Sequence, residues 1–215
     1  MKSLLKMQFK LNFSLPLWLF PLFGAFVLIP DYPIIVGAGY IIVEAITFFR
    51  IMLANRSTEF ALTLPVKKRD VSASICLVLV ITQVVSLIIS AAFAPLAKTL
   101  FPRGNIVGID PNLAYFGIAF ICFGTFNLIF FAKTFKTGYK FGLPALYGTI
   151  AFLLVYAAFE CVVQAIPSVR AVLDGYARNG LLYRAAFCAA GAAIYALLTF
   201  SGIKKAGDNF EKADF

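Results

Sequence analysis

Histidine is absent from all 215 residues. That removes the commonest general base, the commonest zinc ligand and the usual partner of a nucleophilic serine or cysteine. Charge is scarce as well, at 13% of residues, about half the share of a soluble domain. The four cysteines, Cys76, Cys122, Cys161 and Cys188, fall in four different apolar runs with no Cys-x-x-Cys pair among them. They read as small packing residues rather than a disulfide frame or a metal site. No Gly-Lys dipeptide occurs, so there is no Walker A loop, and Gly-x-Ser-x-Gly and EF-hand patterns are missing too. The chain therefore hydrolyses no ATP through a phosphate loop, and any driven work draws on a partner or an ion gradient. An intramembrane enzyme would need a clustered catalytic set, which this sequence does not offer.

Apolar residues make up 61% of the chain, and the mean hydropathy is +0.90. A soluble domain cannot hide that much apolar surface, so the chain belongs in a bilayer. No charged or Ser/Pro-rich stretch is long enough to act as a linker, which leaves one membrane domain over 1–215. Six runs reach the roughly 20 residues of a spanning helix: Leu11–Ile29, Pro33–Phe49, Val71–Ala94, Leu113–Ala132, Phe141–Val163 and Ala185–Ile203. The expected fold is an all-α membrane protein of six helices. The first run follows Lys2, Lys6 and Lys10 but is too long for a signal peptide and lacks a small-x-small cleavage site, so it is expected to be retained.

Lys and Arg exceed Asp and Glu to give a net charge of +9. These charges are dispersed between apolar runs, as for contact with anionic headgroups, and form no patch for a nucleic acid. With both termini in the cytoplasm, the inner segments hold 14 of the 19 basic residues, so short-loop charge places the termini inside. The outer five are Lys98, Arg103, Arg170, Arg178 and Arg184. Phe48-Phe49 before Arg50, Phe130-Phe131 before Lys133, and Phe200 before Lys204 read as rings at headgroup depth beside snorkelling cations. The outer stretch Gln164–Arg184 carries Val169, Val172, Leu173 and Tyr176 at helical spacing. It suits an amphipathic surface segment or a partly ordered loop.

Two carboxylates lie within the runs, Glu44 and Glu160. Each is expected to face protein or water: as a proton relay, or as a neutral or hydrogen-bonded group with Ser, Asn127, Gln83 or Arg50 as partner. The small residues Ala185 to Ala193 favour close helix packing, and Pro16 and Pro21 should bend the first run. The inner loop is the most distinctive segment. Ser57 or Thr58 can cap a short helix, Phe60 and Leu64 share a face, Pro65 stops it, and Asp70 can cap the next span. Two readings stand, a rigid knob for a socket in another protein and an amphipathic turn lying on lipid.

From Glu59 through Leu64-Pro65-Val66-Lys67-Lys68-Arg69-Asp70-Val71, this loop resembles the signature of small type-two permeases of ATP-binding-cassette exporters. Among these it is most similar to permeases of the phenol-soluble modulin exporters of Gram-positive bacteria. The resemblance implies that the loop is a coupling helix seated on a separate cytoplasmic ATPase, with Glu59, Phe60, Leu64, Pro65, Lys67, Arg69 and Asp70 as coupling residues. It implies a permease pair, identical or related, in the plasma membrane over two ATPase subunits that hold ATP and Mg, this chain holding no cofactor. It also implies an interfacial helix at Lys2 to Lys10, and outward transport of amphipathic peptides or similar amphiphiles. An alternative is the substrate-binding membrane subunit of an energy-coupling-factor importer, which would bind its ligand alone.

Overall fold

A computed structural model describes residues 1–100, 104–137 and 140–213. Among them there are helices and turns and no strand. The helices are α1 Lys2–Asn12, α2 Leu19–Leu22, α3 Ile35–Ala54, α4 Ser57–Leu62, α5 Lys68–Leu100, α6 Leu113–Lys136, α7 Gly142–Ala165, α8 Pro167–Leu173 and α9 Leu181–Lys212. The 3₁₀ segments Leu15–Trp18 and Phe23–Leu28 flank α2, and a third, Arg178–Gly180, precedes α9. Five of these helices, α3, α5, α6, α7 and α9, are long and apolar enough to cross a bilayer. The segment 2–28 makes a sixth if its two bent halves are counted as one.

That first segment departs from the expected run at Leu11–Ile29. The helix stops at Asn12, and the chain resumes at Leu15 after a bend of 105°. Pro16 sits in the first turn of the new segment and Pro21 within α2. Each proline removes a backbone donor, which favours short 3₁₀ turns over one continuous α-helix. Phe13 and Trp18 hold the bend edge to face, 4.8 Å apart, with Phe9 and Phe13 at 5.3 Å. Leu15 to Leu28 reaches between about 21 and 28 Å, depending on its share of 3₁₀ geometry, just short of a hydrocarbon core of about 30 Å.

α6 starts at the expected Leu113 and α7 lies within two residues of 141–163, whereas α3, α5 and α9 run past the apolar bounds 33–49, 71–94 and 185–203, and α6 runs past 132. At 33 residues, α5 is the longest, about 50 Å against the membrane's 30 Å. Apolar windows mark the membrane, whereas a helix continues into the headgroup region as long as its backbone bonds close. Both ends of the described chain meet the inner loop at one end of the bundle. Asn55 Nδ2 donates to the Leu11 carbonyl at 2.7 Å and Lys68 Nζ to the Ala213 carbonyl at 2.9 Å.

α6 and α9 form the tightest pair. A Cβ on Gly191 would lie 2.3 Å from the Gly117 carbonyl oxygen, so only glycine permits this backbone approach. This bears out close packing for one position of the small-residue run. Its neighbours Ala189, Ala190 and Ala193 face outward instead. The expected aromatic belt is corrected more broadly. Phe48, Phe49, Phe130 and Phe131 are each 0% exposed, because they sit on the inward faces of α3 and α6. Phe49 meets Phe130 at 5.2 Å and Phe135 meets Phe210 at 5.5 Å, a buried aromatic core at the termini's end of the bundle. Phe200, by contrast, is exposed.

Candidate functional site

The inner loop carries a helix, α4, of six residues. Its capping differs from expectation. Arg56 takes the N-cap position with φ 49 in the left-handed region, and Ser57 and Thr58 turn inward. Ser57 Oγ donates back to the Met52 carbonyl at 3.3 Å. That sharp turn folds α4 away from α3 and packs Ala61, 0% exposed, against the bundle. Phe60 is thereby left 54% exposed, with Leu64 and Val66 also uncovered. Glu59, Pro65 and Lys67 are exposed around them, and Asp70 is half-buried in the first turn of α5 rather than outside it as a cap.

Arg69 behaves differently from the other six coupling candidates. Its guanidinium pairs with Asp208 and with Glu211 of α9. Gly207 provides the seat, since a Cβ there would lie 2.7 Å from Arg69 Cγ. With Lys68 on the Ala213 carbonyl, the root of α5 is tied to the end of α9. Surface ion pairs of this kind contribute at most about 1 kcal/mol each, so their role is to fix position.

Glu44 is 0% exposed at the middle of α3, and neither carboxyl oxygen has a hydrogen-bond partner among the described residues. Of the partners expected for it, Gln83 and Asn127 are engaged elsewhere. Gln83 Nε2 donates to Asn127 Oδ1 at 2.7 Å, and Asn127 Nδ2 donates to Gln83 Oε1 at 2.9 Å and to Thr199 Oγ1 at 3.0 Å. Tyr195 Oη donates to Gln83 Oε1 at 2.9 Å. This cluster ties α5, α6 and α9 together inside the membrane. Its trace in the sequence is a few amide and hydroxyl residues scattered through three apolar runs. Glu160 accepts from Gln164 Nε2 at 2.9 Å, and no hydrogen bond joins it to Glu44.

At the other end, the outer stretch forms α8 and then a turn. The helix ends at Leu173, so Tyr176 leaves the spacing it shares with Val169 and Val172. Asn112 caps α6, its Oδ1 accepting from the Ala114 N–H at 2.7 Å, and its Nδ2 donates to the Leu173 and Gly175 carbonyls at 2.9 and 3.0 Å. Arg184 donates to the carbonyls of Gly175 and Ala177. Burial raises the Asp110 carboxyl above its ordinary value; the Asn105 N–H opposes this and the charge of Asp174 adds to it. Arg103 lies outside the described residues.

No group of three metal-ligating side chains is present among the described residues. Comparison of the chain with family models, with curated proteins and with solved structures finds no match.

Proposed function

We propose that this chain is the permease subunit of an ATP-driven exporter of the type-two ATP-binding-cassette kind, moving amphipathic peptides or similar amphiphiles out of the cytoplasm. The observation that carries the reading is the exposed apolar pair on and just after α4. Phe60 and Leu64 stand uncovered between Glu59 and the basic run Lys67 to Arg69, at the end of the bundle where short-loop charge puts the cytoplasm. A large ring left bare on a rigid, charge-flanked turn suits a socket in a partner ATPase.

Closure of two ATPases on ATP would push α4, and the ties at Arg69 and Lys68 would carry that push into α5 and α9. The glycine seam passes it from α9 to α6, a rigid-body switch between packed states. The groove between α3 and α7, lined by side chains such as Ile42, Ile46 and Phe152, offers an amphiphile apolar contact and few polar partners. The apolar outer face of α7, with Leu143, Leu146 and Leu154 exposed, is available to lipid and to a second permease.

Purification from native membranes in mild detergent tests the reading. The chain should bring down an ATPase without membrane spans, and only that complex should hydrolyse ATP. Charge reversal at Glu59 and Asp70 should detach the ATPase while membrane insertion persists. Recovery of wild-type chain alone, or full coupling in the reversed variants, overturns the proposal.

A further inference from the structure

A cleft of about 670 Å³ opens between the outer halves of α5, α6 and α9. Its walls are apolar, including Leu87, Ile88, Phe116 and Phe120, and its polar groups gather at one end as Lys98, Asn112 and Arg184. Among the described residues lining it, none is acidic. Tyr176 closes that end. Gly175, at φ 75, makes the left-handed turn that brings the ring over, and Lys98 Nζ lies 5.2 Å from its centroid. Arg184 is 3% exposed and is held by the two carbonyls of this roof; Asp110 and Asp174 stand beside the same roof near Tyr176, but neither lines the cleft, and Asp174 pairs with Arg170.

From Val84 to Lys98 the cleft follows α5 for about 21 Å at 1.5 Å per residue. Half of the hydrocarbon core is about 15 Å, so the apolar end lies near the midplane and the two cations at headgroup depth, in the leaflet away from the termini. An extended acyl chain fits.

We infer that this cleft is a binding site for an anionic phospholipid, with an acyl chain along α5 and the headgroup phosphate between Lys98 and Arg184. The site uses no residue of the inner loop and is independent of any ATPase partner.

Photolabelling of the full chain in vesicles tests this, using phosphatidylglycerol with a diazirine on its acyl chain and the matching phosphatidylcholine. Phosphatidylglycerol should label Ile88, Phe120 and Cys188 in preference, by about five-fold for each cation. Lys98→Gln should lower that preference by about five-fold. Ala91→Trp, which fills the cleft, should abolish labelling there and leave labelling at Leu154 on α7 unchanged; Cys188→Phe serves if that variant fails to fold. Equal labelling by the two lipids, labelling that survives a filled cleft, or displacement of the lipid by an amphipathic peptide overturns the assignment.

Discussion

Asn127 shows what a single polar residue does in this bundle. It gives two hydrogen bonds and receives one, all within a membrane-buried cluster shared by three helices. Asn127→Ala leaves Gln83 Nε2 without its acceptor, Tyr195 still holding Oε1, and should cost about 1–2 kcal/mol, seen as a lowered midpoint of thermal unfolding in detergent. Asp110 is the residue to examine for pH dependence. Its carboxyl is 5% exposed and titrates above the ordinary 3.8, so the native chain holds that proton more readily than the unfolded chain. Its contribution to stability is therefore greatest in acid and falls as pH rises through the raised native value. Asp110→Asn can still accept from the Asn105 N–H. It should be more stable than wild type at neutral pH and indistinguishable from it below the ordinary carboxylate range, as thermal unfolding across pH would show.

Among the elements, the α6–α9 seam is the most exacting. Gly191→Val would drive a side chain into the Gly117 backbone, where a Cβ already lies 2.3 Å from the carbonyl oxygen. Overpacking on this scale should destabilise by about 1–3 kcal/mol or more, measurable as a lower unfolding midpoint and faster proteolysis of the outer loop. The spans themselves were legible in the sequence because twenty-odd apolar residues have few alternatives in lipid. So was the short helix of the inner loop, whose residues are polar and apolar by turns. Three features were hidden. The break at Asn12 depends on how Phe9, Phe13 and Trp18 stack as well as on the prolines. The inward direction of Phe48-Phe49 and Phe130-Phe131 is a matter of helix rotation, which an all-apolar helix does not reveal. The outer roof over the cleft rests on Asn112 and Arg184 reaching carbonyls more than five residues away, contacts that no local pattern records.

At the scale of the whole molecule the two ends of the bundle have different constructions. The end near the termini is a buried aromatic core braced by Arg69 against α9, with the Phe60 ring left exposed on the inner loop. The opposite end is a hydrogen-bonded roof over an apolar cleft. On the proposed reading the protruding ring is where a partner would push, since the chain has no phosphate loop of its own. The claim at the centre is that Phe60 seats in a nucleotide-driven partner. A photo-crosslinking residue placed at position 60 of the full chain in native membranes tests it most directly, with position 200 on the exposed face of α9 as control. Position 60 should give a discrete adduct with a Walker A ATPase, and position 200 should give none with it. Adducts to lipid alone at position 60 would show the inner loop lying on the membrane and would contradict the account.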